Sequence, residues 1–438
     1  MSSYQTGFGN EHQTEALPGA LPIGRNSPQQ PAHGLYVEKL SGSAFTAPNA
    51  KNRRSWLYRL QPSVTRLGFE LESSQHLNFD DGATAVPDPL RWNPPSEPTA
   101  PTNFVEGLTP MAACGDLRVH QGVGIYRYVC NQSMADHCFS SSDGELLIVP
   151  QQGSLELITE MGLLTVPPGY IAVVPRGVYF SVNIDEPLAR GYVLENYGAP
   201  FELPERGPIG SDGLANARDF EYPVAAYQDK SEPCRLSNKL GGRLFAASVS
   251  RSPLDVVAWH GNNAPYRYEL ARFNVMGSTS FDHPDPSIFT VLTSPSEMDG
   301  VANSDFVVFA PRWLVMTDTF RPPWFHKNVM SEFMGLISGE YDGKRGGGFV
   351  PGGASLHNCM VPHGPDSATH ARASNAALEP EYLDRSLAFM FETRHLLHPT
   401  EAALNMAQPR ADYAAAWADL RVQGTSTLDT DNPDSKEQ

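Results

Sequence analysis

A mostly β chain of two related barrel-like halves, with a few peripheral helices, is the fold class this sequence predicts. Three observations carry it. Glycine and proline, 37 and 38 of 438 residues, interrupt the chain too often for long helices. Short runs of Val, Ile, Leu and Tyr recur at the spacing of a sandwich or barrel, from 120 to 200 and again from about 250. The Gly and Pro punctuation of the first β stretch is partly repeated in the second.

Length and charge bound the rest. A chain of 438 residues exceeds one ordinary core, so two domains are expected. An apolar fraction of 40% with 10% aromatics fits a globular protein, and a net charge of −17 argues against nucleic acid or an anionic membrane as partner. Cys114, Cys130, Cys138, Cys234 and Cys359 are odd in number and form no CxxC pair. They read as reduced thiols, not as a disulfide frame or zinc site. The opening "MSSYQTGFGNEHQTEALPGALPIG" has no basic or apolar leader pattern, and "YIAVVP" and "FVVFAP" are too short to span a bilayer. A cytoplasmic protein with no membrane partner is the expectation.

In chain order, residues 1–110 form a Pro/Asn/Gly/Ser-rich lead that wraps other elements. In the first β stretch, "GYIAVVPRGVYF" places Gly169, Pro175 and Gly177 in the G-x5-P-x-G pattern of cupin barrels. Phe180 stands where that pattern has a histidine, so this barrel is expected to bind no metal. Residues 201–245 are a polar connector. The second copy offers His326, Glu332 and Gly339, then Pro351, Gly353 and His357, resembling the His…Glu…Gly and P-x-G…H elements of the same barrels. The predicted fold is therefore bicupin-like, two double-stranded β-helix or jelly-roll domains. The first is expected to hold a degenerate, metal-free barrel and the second to carry the chemistry. Tyr413, Trp417 and Leu420 recur at helical spacing before Gly424 and predict a packing helix. Residues 425–438 read as a disordered tail, and Gly346–Gly348 as a mobile turn.

The segment "RPPWFHKNVMSEFMGLISGEYDG" sets His326 six positions before Glu332. On a helix the two would sit about 240° apart, and on one strand roughly 20 Å apart. They meet only if the chain turns back between them onto adjacent paired strands, and Asn328 tolerates such a bend. A third ligand would come from His357 or His363 in "SLHNCMVPHGPD", and spacing does not choose between them. Two histidines and a carboxylate on one face suit non-heme Fe(II), although zinc also accepts His2Glu. His283, held between Asp282 and Pro284 on a rigid loop, is a candidate base. His12, His33, His76, His370, His395 and His398 read as surface or structural. No P-loop, GxSxG or HExxH pattern is present.

The stretches "YQTGFGNEH", "LYVEKLSGSAFTAP", "NRRSWLYR", "FRPPWFHKNVMSEFMGLISGEYDGK" and "PHGPD" together resemble the homogentisate 1,2-dioxygenase family nearly end to end. The resemblance implies Fe(II) as cofactor, with homogentisate and O2 as partners. Its reaction opens the ring between the acetate-bearing carbon and its hydroxylated neighbour to give 4-maleylacetoacetate, a step of tyrosine and phenylalanine breakdown. Matched residue by residue, the iron ligands fall on His326, Glu332 and His363, the base on His283, and a substrate contact on Tyr341. His357 is left to line the site, and His363 also borders the substrate. The family implies an N-terminal β-rich domain over 1–280, a C-terminal catalytic domain over 281–424, and a homo-hexamer, a dimer of trimers. The chain departs from the family at Trp324–Phe325, where tyrosines stand, and in a glycine run one residue longer. Other readings of the same barrels are a gentisate-type ring-cleaving dioxygenase, a cupin zinc isomerase and a non-catalytic bicupin binding protein.

Overall fold

The computed structural model describes residues 4–79, 84–341, 349–408 and 410–421. The first β stretch forms eight strands: β1 (Gln121–Cys130), β2 (His137–Ser141), β3 (Glu145–Gln152), β4 (Leu155–Thr159), β5 (Gly162–Val166), β6 (Tyr170–Val174), β7 (Phe180–Ile184) and β8 (Ala189–Asn196). They pair in the order β1-β8-β3-β6 in one sheet and β2-β7-β4-β5 in the other. That order is a jelly roll. In β4, Leu155 and Leu157 point inward while Glu156 is exposed, the period-two signature of a half-buried strand. Most of β3 is buried, because its sheet is covered on both faces.

The glycine punctuation has a conformational cause. Gly177 sits at φ +83° in the turn where Val178 N–H donates to the Pro175 carbonyl. A side chain there would be strained, so the tight return into β7 calls for glycine. Gly339, in the second half, answers a different need, the close approach of a neighbouring segment: at φ +78°, a Cβ would lie 1.4 Å from the Arg385 carbonyl oxygen.

After β9 (Cys234–Leu240), which runs parallel to β2, the second half repeats the strand order. It has β10 (Ala302–Phe309), β11 (Arg312–Leu314), β12 (Ser331–Gly339), β13 (Ala354–His357), β14 (Glu381–Leu383) and β15 (Ser386–Thr393). These pair as β10-β15-β12-β13 and β11-β14. The order matches the first half strand for strand, with no strands described in place of β4 and β5.

The halves share one continuous core that includes Tyr192 and Val149 from the first and Phe333 and Phe389 from the second. Tyr192 meets Phe389 edge-on at 4.8 Å and donates its hydroxyl to the Gly353 carbonyl at 2.7 Å. The N-terminal lead does wrap other elements. Its strand Leu90–Trp92 joins the second sheet beside β13, and the Trp92 indole donates to the Ala403 carbonyl at 2.7 Å.

The C-terminal helix differs from its sequence reading. It is α-helical only over Arg410–Ala414 and tightens to a 3-10 turn over Ala415–Trp417. Tyr413 turns inward and is 2% exposed, because its hydroxyl has a polar partner in the second barrel. Gly424, Gly346–Gly348 and the tail 425–438 lie outside the described residues. Among the described residues no helix is long and apolar enough to cross a membrane.

Candidate metal centre

Strand register assembles the site. Across β10, β15, β12 and β13, Asp305 lies opposite Glu392, Glu392 opposite Glu332, and Glu332 opposite His357. Directly paired residues share a face of a sheet, so one row carries three carboxylates and an imidazole. His326 and His363 come from outside these strands and form their own antiparallel bridge, each N–H donating to the other's carbonyl at 2.9 and 3.1 Å. The chain does turn back between His326 and Glu332. The strand paired with His326, however, is the His363 segment, which brings both imidazoles to the carboxylate at once.

Ligand atoms of His326, Glu332 and His363 all lie within 4.8 Å of one another. The hydrogen bonds behind the rings settle their tautomers. His326 Nδ1 is 2.8 Å from the Trp324 carbonyl, and His363 Nδ1 is 3.0 Å from the Val361 carbonyl. A carbonyl can only accept, so each Nδ1 carries the proton and each Nε2 turns a lone pair toward Glu332. His363 Nε2 stands 3.0 Å from Glu332 Oε2, and His326 Nε2 stands 3.9 Å from Oε1. Lone pairs facing a carboxylate are repulsive without a cation or proton between them. The donor set therefore fits a metal ion.

Around this centre the acids outnumber the cations. Burial alone would raise the Glu332 carboxyl; when protons take the place of a cation on the two Nε2 atoms, hydrogen bonds from His326 and His363, with that of Asn328, outweigh burial and hold the group well below its usual range. Burial and then the Glu332 charge push Glu392 up to about 7, and burial raises Asp305 to about 6. Asn328 does more than bend the chain. Its amide nitrogen donates to Glu332 Oε1 at 2.8 Å and to Glu392 Oε1 at 2.6 Å. Its oxygen accepts from Met330 N–H at 2.9 Å, which fixes the amide orientation.

A cavity of about 410 Å³ opens beside these three side chains, a volume suited to a small organic molecule. Its apolar wall includes Phe309, Met334, Met390 and Trp324, and its polar lining includes His283, Lys327 and Tyr341. His283 is 7% exposed, meets Trp324 edge-on at 5.4 Å and bonds the Pro284 carbonyl through Nδ1 at 2.8 Å. That bond makes Nε2 its basic nitrogen. Tyr341 is buried and edge-packed against Phe309 at 5.7 Å.

His357 is placed differently from the other named residues. It is fully buried, stacked on His363 at 4.0 Å with 7° between ring planes, and is not among the cavity's lining residues. Its Nε2 lies 3.0 Å from the Tyr413 hydroxyl and its Nδ1 3.9 Å from Glu332 Oε2. Sequence reasoning does not single out Asp305, Glu392, Lys327 or Tyr413 as site residues. A signal for the two acids exists in "SDFVVF" and "FMFET", where one carboxylate interrupts an otherwise apolar strand.

Comparison with known proteins places the chain. The family model described as homogentisate 1,2-dioxygenase N-terminal matches residues 3–270, and its C-terminal counterpart matches 271–424. The homogentisate 1,2-dioxygenase of Pseudomonas fluorescens (strain Pf0-1) is 54% identical over 418 residues, covering 95% of this chain and 96% of that protein. Among solved structures, protein Ylba of E. coli aligns at 8% identity and a TM-score of 0.31, covering 72% of this chain and 96% of that one. A mutant oxalate decarboxylase of Bacillus subtilis aligns at 10% and 0.29, covering 70% and 77%.

Proposed function

The chain belongs to the homogentisate 1,2-dioxygenase family, and from that premise we propose that it opens the homogentisate ring with O2 at Fe(II) held by His326, Glu332 and His363. The observation that carries the ligand set is the pair of carbonyl-locked imidazoles aimed at one ionised carboxylate. Fe(II) bound there would supply a Lewis acid for a phenolic oxygen and the redox chemistry that O2 needs.

The protein's own residues do the rest. His283 Nε2 takes a phenolic proton, since its Nδ1 is committed to Pro284 and the ring is held on a rigid loop. The apolar wall of Phe309, Met334 and Met390 orients the aromatic ring and excludes water from it. Tyr341 offers a hydroxyl to the substrate. Lys327, at the exposed mouth, attracts the substrate's carboxylate. His357 acts through His363, its stacked ring and Tyr413 bond fixing the ligand's plane.

We place the catalytic unit in 281–424 and assign 1–280 a metal-free scaffold role. The assembly we propose is a homo-hexamer, and exposed apolar groups such as Trp313, Tyr382 and Val329 are suited to its contacts. Light scattering tests the assembly, and a monomer at micromolar concentration would refute it. The function is tested by anaerobic Fe(II) reconstitution followed by oxygen uptake with homogentisate and, separately, gentisate. Uptake with homogentisate alone is expected. Equal uptake with gentisate, or full activity with zinc in place of iron, would overturn the reading.

A further inference from the structure

We propose that Cys138 and Cys234 form a dithiol site that exchanges with small-molecule disulfides and closes to an internal disulfide. Cys138 lies on β2 and Cys234 opens β9, the strand running parallel beside it. Their sulfurs are 3.9 Å apart. Both thiols line a cavity of about 360 Å³ that shares no lining residue with the metal cavity. Its apolar lining includes Met134, Ile158 and Leu254, and Asp136, Lys230 and Glu232 bring charge to it. The Lys230 ammonium is bonded to Asp136 at 2.5 Å and to Glu232 at 3.1 Å.

The pair is chemically unequal. The hydrogen bond shared with Cys138 outweighs burial and holds the Cys234 thiol below its ordinary value, with help from Lys230 and Arg66. The same bond, and then burial, raises Cys138 well above its own. A thiol that ionises first beside a partner that keeps its proton is the arrangement of an attacking and a resolving cysteine. The remaining cysteines are set up otherwise. Burial pushes Cys114 and Cys130 up to about 12, and Cys359 sits against the Ser331 hydroxyl at 3.3 Å.

The exchange balances without another reagent. The Cys234 thiolate attacks one sulfur of a small disulfide, forming a mixed disulfide and expelling one small thiolate. Cys138 gives up its proton, attacks the Cys234 sulfur, forms the protein S–S bond and expels the second small thiolate. Two protein thiols are oxidised and one small disulfide is reduced to two thiols.

The test uses the iron-loaded protein incubated with hydroxyethyl disulfide, then quenched in denaturant with N-ethylmaleimide. Alkylatable thiols should fall from five to three per chain, and peptide mapping should join the Cys138 and Cys234 peptides. A thiol reductant should restore all five. In Cys138→Ser the reaction should stop at a hydroxyethyl mixed disulfide on Cys234. In Cys234→Ser, Cys138 should stay reduced. Five thiols remaining on the native chain, or a cross-link between any other pair, would overturn the proposal. Neither outcome depends on the variants folding.

Discussion

The two barrels share a strand order and differ in how each treats its interior charge. In the first half, buried ions close on one another. Lys239 Nζ lies 2.8 Å from Asp143 and 2.9 Å from Glu195, and Arg59 bonds Glu160, Asp255 and Glu38 at 2.7–2.8 Å. The position of the missing histidine is filled by Phe180, fully buried against Phe139 and Phe104 at 5.8 and 6.2 Å. In the second half, Asp305, Glu332 and Glu392 and the imidazoles of His283, His326 and His363 line a cavity with no buried Lys or Arg among its described lining residues. One scaffold thus becomes core where inward polar groups satisfy each other and becomes a site where they do not.

The largest expected effect breaks the contrast outright. Glu332 is the ionised member of the proposed ligand set, so Glu332→Ala should leave two neutral imidazoles that would hold Fe(II) poorly. Iron per chain and oxygen uptake should both fall to background. Full iron occupancy in that variant at ordinary metal concentrations would sink the ligand assignment. A smaller loss is expected at His283, which lines the cavity outside the proposed ligand set. His283→Ala should keep near-normal iron while turnover drops by about 10²–10⁴-fold, the usual range for a missing general base. Raising the pH should partly restore it, as solvent takes over the deprotonation. Iron lost in parallel with activity would mean that His283 belongs to the ligand set.

The same contrast explains what the sequence could disclose. The jelly-roll punctuation is legible because tight returns demand glycine locally, as at Gly177. The histidines and Glu332 stand out as chemistry-bearing types at close spacing. Spacing cannot show that His326 pairs with His363, because a bridge between segments 37 positions apart is set by tertiary packing. Nor can it show that Asp305 and Glu392 share a row with Glu332, since register across four strands is nonlocal. Tyr413 reads as helix packing because its partner, His357, lies on a different element. Phe180 is legible as a lost histidine, and its packing turns that into an energy. Phe180→Ala should destabilise the fold by about 3–5 kcal/mol, as expected for emptying an aromatic core site. Chains that fold should retain normal iron content. Reduced iron at unchanged stability, measured by denaturant unfolding beside metal analysis, would contradict the division of labour between the barrels.

The smallest expected effect probes a buried acid in the barrel assigned no metal. Glu145, on β3, accepts from Phe201 N–H at 2.6 Å and from the Asn196 amide at 3.0 Å, and burial raises its carboxyl from 4.5 to about 7. Between those two values the unfolded chain has lost the proton that the folded chain still holds. Stability therefore falls as pH rises through that window and levels off above about 7, where both states are ionised. Glutamine keeps an oxygen for the same two donors and never ionises, so Glu145→Gln should escape the loss. The variant should gain on the native protein by about 1–3 kcal/mol between pH 4.5 and 8, since each pH unit between the two ionisation midpoints is worth about 1.4 kcal/mol. Urea midpoints of both proteins across that range give the difference directly, and titrations elsewhere in the chain cancel in it. A difference that stays flat with pH would mean Glu145 is already ionised in the fold. Its charge would then be satisfied locally, as the Lys239 and Arg59 clusters are, and the first barrel would carry no uncompensated acid.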